Sequence, residues 1–233
     1  MAKSIKWLGH AAFMITSAQD KVIFIDPFIM GNPLCPITVD DITQANLVLV
    51  THDHFDHVGS AVDIANKTGA QVIAQPETVG RFTSEMGLAA SQVVNLGMGM
   101  NIGGTCTFDG ITITMTQAFH SSGTGSNTGF IIKLEDGFTI YHAGDTGIFE
   151  GMRLLGEIYS IDLALLPTGS TFTMDSYQAA KALTLLRPKK VIPMHYKTFP
   201  VLEQGTDRFV ELAKKEASDV QVIVAEPGQE IAL

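Results

Sequence analysis

The chain has 233 residues, 45% of them hydrophobic and 17% charged, with a formal net charge of −9. That composition supports a substantial self-sufficient core and excludes a disordered chain. The acidity counts against tracking a nucleic-acid backbone by charge, which needs a basic surface, but not against a small anionic substrate, because bound divalent cations reverse the local field.

In chain order, Met1-Ala2-Lys3-Ser4-Ile5-Lys6 has no hydrophobic leader core, and no apolar run approaches bilayer length. The expectation is a cytoplasmic protein outside the membrane. Ile5–Leu8, Ala12–Thr16 and Val22–Ile25 read as strands broken by Gly9-His10 and Ser17-Ala18-Gln19-Asp20. Leu47–Val50 is a fourth, apolar throughout. Helices are predicted over Ser60–Lys67 and Pro76–Met86, the second opening on a first-turn proline, with a short strand Val72–Ala74 between them. Cys106–Phe108, Ile111–Thr116, Gly129–Leu134 and Phe138–Tyr141 follow as strands, turning at Asp109-Gly110 and Asp136-Gly137. The last third alternates: strand Asp162–Leu166, helix Asp175–Leu186, strand Lys190–Pro193, helix Thr206–Ala217, strand Val220–Val224. Cys35 and Cys106 stand far apart without metal-type spacing and read as reduced thiols. With no linker, repeat or low-complexity run, residues 1–233 read as one domain of the α/β (α+β) class, sheets packed on each other with helices outside, a four-layer αββα sandwich.

The densest chemistry lies just after Leu47–Val50, in Thr51-His52-Asp53-His54-Phe55-Asp56-His57. His-x-His-x-Asp-His packs four candidate ligands for a divalent metal into six residues. Further candidates stand at the ends of other predicted strands: His120, Asp145 and His195. No Gly-x-Ser-x-Gly elbow, Walker motif or dinucleotide fingerprint accompanies them.

From Trp7-Leu8-Gly9-His10 and Asp26-Pro27 to Pro193-Met194-His195-Tyr196, this succession resembles the metallo-β-lactamase superfamily over nearly the whole chain. Within it the chain is most similar to the small metal-dependent hydrolases related to L-ascorbate-6-phosphate lactonase (UPF0173-like). Trp-Leu-Gly-His also resembles the opening of N-acylphosphatidylethanolamine phospholipases. The resemblance implies two divalent ions (zinc, manganese or iron). His52, His54 and His120 would hold the first, Asp56, His57 and His195 the second, and Asp145 would bridge them. Asp26 would brace the His-rich loop from behind. Asp56 and Asp145 would act with a hydroxide bridging the ions, made available near neutral pH by their charge.

Auxiliary candidates are His10, His142 and Lys197. His10 reads either as a core histidine or as a side chain pointing into the cleft. His142 reads as packing or orienting a ligand rather than binding metal. Lys197 reads either as an anchor for a phosphate or carboxylate or as a solvated surface lysine. Ser121–Asn127 and Gly169-Ser170-Thr171 are loops that line a cleft or simply turn. The implied reaction is hydrolysis of a lactone or related ester of a small, phosphorylated or otherwise anionic metabolite. A phosphodiesterase acting on a small or lipid-derived diester is the alternative. A di-iron redox protein and a non-catalytic metal-binding protein are remoter ones. No nucleic acid or membrane is expected as partner; a homo-oligomer is left open.

Overall fold

The computed structural model describes residues 3–233, so the part of the leader reading that falls on Met1 and Ala2 lies outside the described residues. Among those described, no helix is long and apolar enough to cross a membrane. The chain forms two compact units. Among the described residues, unit 1 comprises residues 3–105, Ser121–Asn127 and Glu226–Leu233; unit 2 comprises Cys106–His120 and Thr128–Ala225.

In chain order the strands of the first stretch are β1 Ser4–Trp7, β2 Phe13–Thr16, β3 Val22–Ile25, β4 Leu47–Leu49 and β5 Gln71–Ile73. They are followed by β6 Thr105–Phe108, β7 Ile111–Gln117, β8 Thr128–Lys133, β9 Thr139–His142, β10 Leu163–Pro167, β11 Lys190–Met194, β12 Gln221–Val222 and β13 Glu230–Ala232. The helices are α1 Phe55–Val58, α2 Ala61–Thr68, α3 Pro76–Glu85, α4 Val94–Gly97, α5 Gly151–Ile158, α6 Ser176–Leu186 and α7 Asp207–Glu216.

Unit 1 carries a mixed six-stranded sheet in the order β13-β1-β2-β3-β4-β5. Neighbours from β13 to β3 are antiparallel, while β3, β4 and β5 are parallel. Hence β1, β3 and β4 run the same way and their C-terminal ends reach one edge of the sheet. One face of this sheet, through Leu8, Phe24, Val48 and Val72, packs with Ile64, Ala65, Val79 and Phe82 of α2 and α3 into an apolar core. Ala61, Val62, Ile64 and Ala65 are the buried stripe of α2.

Unit 2 carries a seven-stranded sheet in the order β12-β11-β10-β9-β8-β7-β6. Strands β9 to β12 are parallel; β8 is antiparallel to both β7 and β9. Strands β7, β9, β10 and β11 therefore all end on one edge. Its core joins Tyr141, Ala164, Leu166 and Val191 of the strands to Leu183 of α6 and Phe209 of α7. Helix α6 begins as predicted: the Asp175 carboxylate accepts from the Gln178 amide at 2.8 Å.

Three differences from the sequence reading have local causes. The strand expected over Val220–Val224 shortens to Gln221–Val222. As an edge strand it keeps one further bond, from the Ile223 amide to the Val191 carbonyl. Helix α5, which was not predicted, is half exposed and contains two glycines, which lower intrinsic helix propensity. Strand β13, too short to announce itself, completes the sheet by pairing Ile231 with Ile5.

Candidate metal-binding site

In unit 1 the chemistry collects at the shared edge of β1, β3 and β4. Strand β4 ends at Leu49, and two residues later the chain enters the His-rich loop, which closes in the single turn α1. His52 and His57 are buried and His54 half-buried. The Nε2 of His52 lies 3.0 Å from Nδ1 of His54, and the His52 and His57 rings are 4.1 Å apart at their centroids. Asp56, His57 and His10 each bring one donor atom within 4.8 Å of the others.

Asp26, at the end of β3, does what the resemblance implied. Wholly buried, it accepts from the Thr51 amide at 2.8 Å and the Thr51 hydroxyl at 2.7 Å. Its Oδ2 also lies 2.7 Å from His57 Nδ1. A carboxylate already accepting two bonds accepts this third one too, so Nδ1 carries the proton and the Nε2 lone pair is turned the other way. That is the tautomer a metal ligand needs.

Asp53 is a residue the sequence reading passed over. Its Oδ1 accepts from the Gly123 amide at 2.6 Å and the Ser122 hydroxyl at 3.0 Å. Its Oδ2 accepts from the Thr124 hydroxyl at 2.8 Å, and Arg81 Nη1 stands 3.3 Å away. Burial pushes this carboxyl upward, but the bonds from Thr124, Gly123 and Ser122 outweigh it and hold the group below the ordinary aspartate value. The hydroxyl-rich loop after His120 is thus used to grip the His-rich loop, and only its tertiary partners reveal this.

In unit 2 three strands deliver one donor each to the edge they share. His120 follows β7, Asp145 follows β9 and His195 follows β11. Asp145, buried, has its Oδ2 3.0 Å from His195 Nε2 and 3.7 Å from His120 Nε2. His195 is held with φ at +59°. Its backbone runs so close to Gly169 that a Cβ there would strike the His195 carbonyl, which explains the glycine at the end of β10. His142 is buried in β9, and its Nδ1 accepts from the Gly144 amide at 3.1 Å, shaping the turn that presents Asp145. Lys197 is exposed, with φ at +67° and its amide bonded to the Glu203 carbonyl at 2.8 Å. Ser170 and Thr171 turn the chain with positive φ, and the Thr171 hydroxyl is spent on the Val201 carbonyl.

Imidazole nitrogens and carboxylate oxygens in these proportions suit borderline divalent cations, and each unit already draws its donors within a few ångströms of one another. The donor set therefore fits a metal. The β-lactamase superfamily domain matches residues 21–196. A UPF0173 metal-dependent hydrolase of Nitratidesulfovibrio vulgaris is 51% identical over 233 residues, spanning 100% of this chain and 96% of that one. The chain belongs to this family. As a metal-dependent hydrolase of the metallo-β-lactamase superfamily, it is also 46% identical over 232 residues to the UPF0173 metal-dependent hydrolase of Pyrobaculum islandicum, with 98% and 99% of the two chains covered. Igni18, a metallo hydrolase of Ignicoccus hospitalis, superposes on this hydrolase with a TM-score of 0.89 at 38% identity, covering 100% of this chain and 99% of that chain. The sequence-based assignment of fold and family is thereby borne out.

Proposed function

We propose that this hydrolase opens a lactone or related ester of a small, anionic metabolite at a dinuclear centre. His52, His54 and His120 would hold one ion, Asp56, His57 and His195 the other, and Asp145 would be shared, with the two units acting as one domain. The observation that carries this reading is the Asp26–His57 pair, which commits a buried imidazole to present Nε2 beside His52. The match of relatives along their full length supports the single domain. The lactone preference rests on the resemblance to the lactonase-related hydrolases.

Two divalent cations, zinc or manganese, would supply Lewis acidity and lower the pKa of water at the centre. The chain's own part is to position and to move protons. Asp26 fixes the His57 tautomer, and Asp56 and Asp145 orient the attacking water and take up its proton. Lys197, exposed two residues beyond His195 on a left-handed turn, anchors the anionic group of the substrate. No side-chain nucleophile is required. Free thiols at Cys35 and Cys106 suit a reducing, cytoplasmic setting.

The test is a paired assay of the full chain reconstituted with zinc or manganese. One substrate is a phosphorylated sugar lactone, the other bis(p-nitrophenyl) phosphate. Lactone turnover is expected, with a loss of about 10^3-fold or more in a folded His120→Ala variant. Selective cleavage of the diester would replace the lactonase reading by a phosphodiesterase. Wild-type turnover by His120→Ala would sink the metal-assisted reading altogether.

A further inference from the structure

A buried imidazole in unit 1 stands outside the proposed ligand set. His10 sits in the turn between β1 and β2, with no exposed surface. That turn is closed by bonds from the Leu8 amide to the Ala12 carbonyl (2.8 Å) and from the Ala12 amide to the Gly9 carbonyl (3.0 Å). Gly9 has φ at +90°, and a Cβ on it would lie 2.7 Å from the Leu34 Cβ. His10 itself is left-handed, with φ at +58°. A non-glycine residue holds that conformation at a cost of about 1 kcal/mol or more, and such strain persists only where the surroundings over-determine it. Here the Trp7 indole N–H donates to the His10 carbonyl at 2.8 Å, fixing the strained residue from behind. The motif Trp-Leu-Gly-His is therefore a device for holding one imidazole in one orientation.

The ring meets Phe28 and His57 edge-on, with centroids 5.9 and 5.7 Å away. Its Nε2 lies 2.9 Å from Oδ2 of Asp56. A carboxylate only accepts, so Nε2 carries the proton and donates. We propose that His10 is a positioning residue that ties down Oδ2 of Asp56 and so fixes the orientation in which this carboxylate would meet the second ion. The inference rests on the two-ion reading above. It makes neighbouring ligands of that ion a mirrored pair. His57 is a ligating imidazole oriented by the carboxylate of Asp26, and Asp56 is a ligating carboxylate oriented by the imidazole of His10. Both braces come from the ends of strands that run parallel to β4, β1 for His10 and β3 for Asp26, so the sheet itself sets the aim of the loop.

The experiment is a cobalt(II) titration of the metal-free full chain, followed by visible absorption, for wild type, His10→Leu and His10→Gln. Wild type is expected to take two equivalents. In His10→Leu the second binds about 10- to 100-fold more weakly, as loss of an orienting partner typically causes, while the first is unchanged. Gln places an amide N–H near the position of the imidazole Nε2–H, so His10→Gln recovers most of the loss without altering the cobalt spectrum.

Full loss of the second equivalent in His10→Gln, with a changed spectrum, would overturn the proposal by making His10 a ligand. Wild-type titrations for both variants, on a chain that loads two ions, overturn it alone. A wild-type chain that takes up a single ion defeats the two-ion reading, and the inference with it. Should His10→Leu fail to fold, the imidazole nitrogen spectrum of the wild-type chain still decides: an Nε2–H tautomer supports the proposal and an Nδ1–H tautomer overturns it.

Discussion

In unit 1 four candidate donors, His52, His54, Asp56 and His57, ride on one loop after β4, whereas in unit 2 His120, Asp145 and His195 ride on the ends of three strands. The contiguous set needs bracing, because a loop does not hold four side chains by itself. Asp26 grips His57, His10 meets Asp56, and Asp53 ties the loop to Ser122, Gly123 and Thr124. The distributed set needs less, because strand pairing fixes where each chain leaves the sheet. There the visible supports act on the backbone: Gly144 on His142, and Gly169 against the His195 carbonyl. Local density of candidate donors is thus offset by a denser polar network behind them, while candidate donors taken from separate strands inherit their placement from the hydrogen-bond ladder.

The strongest way to break this comparison is to ask whether the units are energetically separate. Phe82 in unit 1 and Phe209 in unit 2 are each fully buried in their own apolar cluster. Phe82→Ala and Phe209→Ala should each cost about 3–5 kcal/mol. If the two units form one domain, both substitutions lower the midpoint of one cooperative urea transition followed by circular dichroism. A transition that splits, with each variant moving only its own half, would show two domains and reduce the contrast to a property of independent folds.

A smaller effect sharpens the contrast inside unit 1. Asp53→Ala removes the acceptor of the Gly123 amide and one partner from each of the Ser122 and Thr124 hydroxyls, a penalty of about 1–2 kcal/mol once water and rearrangement repay part of it. The Gly123 amide should lose most of its protection from hydrogen exchange, while amides in β4 keep theirs. Equal protection in the variant and the wild type would mean that the loop after His120 holds itself.

What could be read in the sequence follows the same division. The contiguous loop announces itself, because its donors are neighbours in the chain and the apolar run before it marks a strand end. The unit 2 donors were legible only as polar residues terminating predicted strands, and the resemblance was needed to group them. Asp53 gave no signal at all, since the partners that define it lie 69 to 71 residues away. For His10 the type was visible and the role was not. Whether a buried imidazole packs or orients depends on a positive φ and on one carboxylate 46 residues later, neither of which leaves a local pattern.

The smallest expected effect contrasts a shielded carboxylate with one that is only half-buried. Glu216, at the end of α7, meets the Lys181 ammonium of α6, as Asp53 meets Arg81. The hydrogen bond and charge of Lys181 lower the Glu216 carboxyl, and the reciprocal bond raises the Lys181 ammonium. A carboxyl depressed on folding stabilises above its unfolded pKa and loses that contribution as pH falls through its folded value. Both groups keep part of their surface in water, which screens the pair and leaves its long side chains an alternative in solvent. Lys181→Met should therefore leave the unfolding midpoint at neutral pH within experimental error, at low salt and high salt alike. The Asp53→Ala loss, by contrast, should persist at 1 M salt, where the Debye length is about 3 Å, because short bonds to a buried carboxylate lie inside that screen. A Lys181→Met penalty as large as that of Asp53→Ala would mean that unit 2 depends on its surface charges as much as unit 1 depends on its buried ones.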